Sequence, residues 1–120
     1  MPHVTLEYTA NSGALDVARM LAAVNRALVD SGEFGEPDIK SRALRLDQFQ
    51  VGVLPVARGF VHLEIALLSG RSTAQRKALA DAALAALLAT VAPVTGVELQ
   101  FSVETVELHR DSYAKSVRHA

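Results

Sequence analysis

The second residue of the chain is a proline, Pro2, directly behind Met1. If Met1 is removed, Pro2 becomes the N-terminus and carries a secondary amine. An α-amino group has an ordinary pKa of about 8, well below that of lysine, and burial or nearby cations lower it further. Such a nitrogen is a natural general base near neutral pH, and the proline ring fixes its direction. The alternative is that Pro2 reflects only trimming of the methionine.

Three cationic side chains stand where they could bind an anion. Arg71 precedes Ser72, the predicted N-cap of a helix, where unpaired amides and a forked guanidinium favour a carboxylate. Lys40 and Arg42 are two residues apart in a predicted strand, so they share one face and could hold a second carboxylate. The alternative is a solvated arginine in the first case, and a salt bridge or a solvated face in the second.

Other common sites are absent from the sequence. It contains no dinucleotide fingerprint, no P-loop, no HExxH zinc motif and no nucleophile elbow. The histidines at positions 3, 62, 109 and 119 lack a convincing metal spacing. His62 and Glu64 share a strand face and could pair on a metal, although such pairs are usually ordinary hydrogen bonds. We predict no metal site.

Composition sets further limits. The 120 residues fit one domain, and a net charge of −1 with scattered basic residues lacks the footprint of nucleic-acid binding. No apolar stretch approaches a membrane span, the start does not resemble a signal peptide, and there is no cysteine. We therefore expect a cytoplasmic protein without a membrane or nucleic-acid partner.

Hydrophobic periodicity predicts strands and helices in alternation. The apolar stripe of the first predicted helix is expected to contain Val17, Leu21, Val24 and Leu28, and Ser72 with Gln75 has the spacing of a capping box at the start of the second. The predicted elements are a strand at 3–9, a helix at 15–31, a strand at 39–46, a strand at 60–68, a helix at 73–91 and a strand at 98–108, followed by a polar tail.

This order is β-α-β twice, with a period of about 57 residues. The two opening strands share the pattern Val-x-Leu-Glu, at Val4 and at Val61. We predict one α+β domain with repeats at approximately 1–56 and 57–110 and a polar tail at 110–120. Because strand–helix–strand units favour parallel pairing, the halves should form a four-stranded sheet with both helices on one face. The far face would need cover, and a symmetric oligomer is one answer.

Several segments together resemble a known family. They are MPH at the start, IKSR, FVHLEIALLSGRS with AQRKALADAAL behind it, and VETVELH near the end. In this order and spacing they resemble the 5-carboxymethyl-2-hydroxymuconate isomerases of the tautomerase superfamily. The likeness runs from residue 2 to about residue 109.

The resemblance implies a homotrimer whose sheets line a central barrel, with no metal and no organic cofactor. It implies that Pro2, freed of Met1, is the catalytic base, and that Arg71 holds a carboxylate or polarises a 2-keto oxygen. Lys40 occupies a strand position where the best-known isomerases are expected to carry arginine. Lysine keeps the positive charge but lacks the two parallel donors with which a guanidinium binds a carboxylate. His3 and Arg42 are further candidate substrate-binding residues without an assigned role.

The leading hypothesis is a keto–enol isomerase that acts on an unsaturated 2-hydroxy or 2-oxo di- or tricarboxylate in the breakdown of aromatic compounds. A second hypothesis is dehalogenation or decarboxylation of a small acid, in which protonated Pro2 acts as an acid. A third is a non-catalytic trimeric binding protein, which retention of Met1 would favour because an amide at Pro2 has no basic nitrogen.

Overall fold

Six main elements alternate as strand, helix, strand in each half of the chain. A computed structural model describes all residues, 1–120. The elements are β1 (His3–Thr9), α1 (Val17–Asp30), β2 (Lys40–Leu46), β3 (Arg58–Leu68), α2 (Thr73–Thr90) and β4 (Glu98–Leu108), with single 3₁₀ turns at Glu36–Asp38 and Arg110–Ser112. The predicted order and types are confirmed. The bounds agree at seven of the twelve ends of these six elements and differ by one or two residues at the other five, and both helices are slightly shorter than expected.

The four strands form one mixed sheet in the order β2-β1-β3-β4. Within each half the strands are parallel, as predicted, and the halves join through antiparallel pairing of β1 with β3. In this register His3 pairs with Lys40 on one side and with Ala66 on the other. The first residues of β1 therefore lie beside the start of β2 and the end of β3.

Both helices pack on one face of the sheet and enclose the core. The core side chains from the central strands are fully buried, and each helix contributes three residues spaced four apart. These residues include Val4, Leu6, Val61, Leu63 and Ile65 from the strands, Met20, Val24 and Leu28 from α1, and Leu79, Ala83 and Leu87 from α2. In α1 Met20 begins the buried stripe, Leu21 packs only partly buried against it, and Val17 lies outside it.

The opposite face of the sheet carries mostly polar side chains and no covering element. On it, His62 contacts Ser102 Oγ with Nδ1, at 2.6 Å, and the Glu104 carboxylate with Nε2. His62 thus pairs with β4 and not with Glu64. No group of three or more metal-ligating side chains is present in the structure. Neither helix has the length and apolar character needed to cross a membrane.

The start of α2 has the predicted capping box. The backbone amide of Gln75 donates to Ser72 Oγ at 3.1 Å, and the backbone amide of Ser72 donates to the side-chain Oε1 of Gln75 at 2.9 Å. These bonds satisfy two of the helix amides that would otherwise lack partners. Arg71 directly precedes this capped start of the helix.

We expect Ser72→Ala to lower the free energy of unfolding by about 1 kcal/mol, because the N3 amide of α2 loses its acceptor. Ser72→Asp restores an acceptor and should remain near wild-type stability. Chemical denaturation of the two variants measures both values. Equal stability of the alanine and aspartate variants would contradict this role of the cap.

Candidate active site

The N-terminus lies in the sheet rather than free in solvent. Pro2 is buried, and its carbonyl accepts a hydrogen bond of 3.1 Å from the Lys40 amide. Met1 lines a cavity of about 390 Å³ together with Phe34, Arg71 and residues from the C-terminal segment. The chain start is thus held at the edge of a cavity that could take a small molecule.

The surroundings of the N-terminal amine favour its neutral form. Burial of the Met1 amino group lowers its pKa most, and the nearby charge of Lys40 lowers it further. Asp38 raises the pKa, while Lys115 and Arg71 again lower it. Two of the sequence-predicted cations, Lys40 and Arg71, therefore act electrostatically on the N-terminus, as a base at this position requires.

Arg71 lies in the turn between β3 and α2 and is fixed by two neighbours. Its Nε donates to Glu33 Oε1 at 2.9 Å and its Nη2 to the Glu33 carbonyl at 3.4 Å. Its Cζ stands 4.6 Å from the centroid of the Phe34 ring, a cation–π contact. The side chain is only 20% exposed, so it is not the solvated arginine of the alternative interpretation. These contacts leave Nη1 for a ligand.

Lys40 and Arg42 share a sheet face, as predicted, but their charged ends go to different partners. Lys40 Nζ donates to the Asp38 carbonyl at 2.7 Å, and Arg42 Nη2 lies 2.8 Å from His3 Nδ1. The two cations therefore do not form a joint clamp for one carboxylate in this structure. Lys40 faces the N-terminus, and Arg42 supports His3.

His3 is held between Arg42 and a tyrosine. Because arginine can only donate, His3 Nδ1 must accept, and the imidazole proton is then on Nε2. His3 Nε2 lies 3.2 Å from Tyr113 Oη. Burial lowers the pKa of His3, and the charges of Arg42, Lys40 and the N-terminus lower it further. The neutral tautomer with Nε2–H fits both contacts.

The sequence interpretation missed the C-terminal segment, which it treated as a polar tail. Arg110 donates from Nε and Nη2 to the Ser69 carbonyl, at 3.1 and 3.0 Å, and Lys115 Nζ lies 2.8 Å from Asp38 Oδ1. The hydrogen bond and charge of Lys115 hold the pKa of Asp38 below its usual range. The segment thus lies over the N-terminal cavity, and Tyr113 and Lys115 line it.

We expect Arg42→Met to raise the pKa of His3, because it removes the nearest cation that opposes protonation of the imidazole. Arg45→Met is the matched control. Arg45 lies on the other face of β2, pairs with Asp47 and should leave the pKa of His3 unchanged. Histidine proton titration by NMR measures both, and an unaltered His3 pKa in Arg42→Met would contradict the contact.

The comparisons with known proteins agree with the fold. The structure superposes on a 5-carboxymethyl-2-hydroxymuconate isomerase from Deinococcus radiodurans R1 with a TM-score of 0.82 and 28% identity, covering 98% of this chain and 90% of that one. A 5-carboxymethyl-2-hydroxymuconate delta-isomerase gives 0.73 at 19% identity, covering 98% and 89%. A fused 4-OT described as a symmetric trimer gives 0.72 at 15% identity, covering 95% and 91%. At these lower identities, the second and third structures show only that the fold is shared.

No curated protein matches the chain. The sequence model of the 5-carboxymethyl-2-hydroxymuconate isomerase family matches residues 2–120, which is nearly the whole length. The tautomerase fold, confirmed by the neighbouring structures, agrees with that match. The chain therefore belongs to the 5-carboxymethyl-2-hydroxymuconate isomerase family, and it is an isomerase.

Proposed function

We propose that the chain is a keto–enol isomerase in which Pro2, freed of Met1, is the general base. Its substrate is a small unsaturated 2-hydroxy or 2-oxo acid with two or three carboxylates. The observation that carries the proposal is the position of the chain start: Pro2 is buried beside Lys40, and the Met1 amine next to it lies at a cavity where burial and the cations Lys40, Lys115 and Arg71 lower its pKa. The family supports the reaction class.

The reaction needs only a proton to move. The neutral Pro2 nitrogen takes the proton of the enol hydroxyl, and the negative charge spreads over the dienolate. The protonated nitrogen then returns the proton to a carbon of the conjugated chain, which leaves a ketone. No electrons leave the substrate, so neither an oxidant nor a reductant is involved.

Cations at the cavity have two roles in this proposal. Arg71 binds a substrate carboxylate or the 2-keto oxygen with its remaining Nη1, in an orientation fixed by Glu33 and Phe34. Lys40 and Lys115 stabilise the negative charge as it develops on oxygen. Lysine at position 40 offers a point charge rather than a fork, so its contact with the substrate is less directional.

We further propose that the chain acts as a homotrimer whose sheets pack around a barrel. The likeness to a fold neighbour described as a symmetric trimer supports this assembly. A cytoplasmic location and a place in the breakdown of aromatic compounds stay predictions from the sequence.

The direct test compares two forms of the same chain, one processed to Pro2 and one that retains Met1. Retained Met1 turns the Pro2 nitrogen into an amide without a basic lone pair. We expect kcat/KM on an enol dicarboxylate to be about 10²–10⁴-fold lower in that form, which is the usual contribution of a general base. Intact mass identifies each form, and the absorbance of the enol follows turnover.

Equal activity of the two forms would refute Pro2 as the base. Pro2→Ala, which keeps an amine but loses the rigid ring, should fall between them. If the processed form is inactive on enols but converts halo-acrylates or oxo acids, dehalogenation or decarboxylation replaces the isomerase proposal. If the processed form converts none of them, a binding function replaces both.

The pH profile of the processed enzyme should respond oppositely to two substitutions near the amine. Because the base must be neutral, kcat/KM falls on the acid side as pH drops through its pKa. Lys40 lowers and Asp38 raises the pKa of the Met1 amine, and we expect both charges to act in the same directions on the freed Pro2 amine, one residue further along the chain. Lys40→Met should then move the acid limb to higher pH, and Asp38→Asn should move it to lower pH. Shifts in the same direction would contradict this electrostatic arrangement.

A further inference from the structure

Tyr113 is the last member of a chain of side-chain contacts that begins on β2. Arg42 Nη2 lies 2.8 Å from His3 Nδ1, and His3 Nε2 lies 3.2 Å from Tyr113 Oη. Since the guanidinium can only donate, each contact has one possible direction: Arg42 donates to His3, and neutral His3 donates to Tyr113. The phenol oxygen of Tyr113 is therefore an acceptor in this series of contacts, and the hydroxyl proton of Tyr113 takes no part in it.

That proton has no acceptor within the protein. The contact with His3 is the one hydrogen bond that Tyr113 Oη makes in the structure, and Tyr113 lines the cavity with Met1 and Arg71. The cations around it already have partners. Arg71 is bound to Glu33, and Lys115 to Asp38. Tyr113 thus lines the cavity with a hydroxyl hydrogen that no protein group accepts.

The segment that carries Tyr113 is anchored on both sides of it. Arg110 binds the Ser69 carbonyl through two nitrogens, and Lys115 binds the Asp38 carboxylate. The Tyr113 ring also meets the imidazole of His3 edge-on, with centroids 6.5 Å apart and planes at 62°. Fixed donors of this kind lose little free energy in reorganisation when charge develops on a nearby oxygen.

We propose that the Tyr113 hydroxyl donates a hydrogen bond to the substrate oxygen on which negative charge develops during isomerisation. Tyr113 is then a catalytic residue in addition to those expected from the sequence. His3 and Arg42 are positioning residues that act through it and do not touch the substrate. This inference rests on the proposed isomerase function and assigns His3 and Arg42 a role different from the substrate contact predicted from the sequence.

The test is Tyr113→Phe, which removes only the hydroxyl. Loss of one donor to a developing oxyanion lowers kcat by about 10²–10³-fold in known cases. Here we expect kcat to fall by about tenfold to a hundredfold and KM to change by less than about threefold. Tyr8→Phe is the matched control. Tyr8 is the only other tyrosine, packs beside the core on the helix-covered face and should leave kcat unchanged.

A double-substitution cycle separates positioning from general damage. His3→Ala should lower kcat in the wild-type background but have little further effect in Tyr113→Phe, because its contribution passes through the hydroxyl. A KM increase with unchanged kcat in Tyr113→Phe would make Tyr113 a ground-state binding residue and overturn the proposal. So would wild-type kinetics, or effects of His3→Ala and Tyr113→Phe that simply multiply.

The same assays keep this inference separate from the function on which it rests. If the Met1-retaining form is inactive and Tyr113→Phe is fully active, Pro2 stands as the base and only the role of Tyr113 fails. If the Met1-retaining form is as active as the processed one, the proposed base fails whatever Tyr113→Phe does. Thermal unfolding of Tyr113→Phe within the range of Tyr8→Phe shows that any loss of turnover is not a loss of fold.

Discussion

The N-terminus can take part in a site because β1 lies in the interior of the sheet, parallel to β2 and antiparallel to β3. Parallel pairing brings the starts of β1 and β2 together, so Lys40 stands beside the first residues of the chain. Antiparallel pairing brings the end of β3 to the same place, and the turn after it carries Arg71. An edge strand would have supplied only one of these neighbours, and its terminal residue would have had less burial.

Burial and charge then act on the amine in the same direction. Removing an ammonium from water disfavours its charged form, and the surrounding cations add to that effect. Asp38 opposes it by raising the pKa of the amine. Glu33 pairs with Arg71, and Asp38 pairs with Lys115. These carboxylates also hold the cations in place, so less side-chain entropy has to be lost when a ligand arrives. The site is thus positive enough for an anionic substrate while most of its cations have fixed positions.

The parts of the fold that follow from local patterns were predictable from the sequence. Strand 98–108 has the predicted bounds, with a turn at Gly96 (φ 78°) before it and a polar segment from His109 after it, and Ser72 with Gln75 forms the predicted cap. The buried stripe of α1 was predicted less accurately. The helix begins at Val17 behind the cap residue Asp16, and the buried spacing Met20, Val24, Leu28 is set by contact with the sheet.

The predicted site residues Lys40 and Arg71 do meet at the N-terminus, whereas the contribution of the C-terminal segment could not be predicted. His3 and Tyr113 are separated by 110 positions, and Lys115 and Asp38 by 77. No period or motif marks such contacts, because the segment is irregular and its side chains are individually ordinary. The only local signal was an aromatic residue two positions before a lysine in a polar stretch, which is equally typical of a solvated tail.

Neutrality of His3 is the condition on which these contacts depend. The imidazole can accept from Arg42 and donate to Tyr113 only while one nitrogen is unprotonated. Because burial and Arg42 lower its pKa, the folded chain resists protonation more than the unfolded chain does. The contacts are therefore complete above the ordinary histidine pKa, and the folded state loses stability as pH falls below that value, where the unfolded chain binds the extra proton. Arg42 lowers the pKa of His3 and also donates the hydrogen bond to its Nδ1. Its guanidinium therefore orients the ring and preserves the neutral state on which that orientation depends.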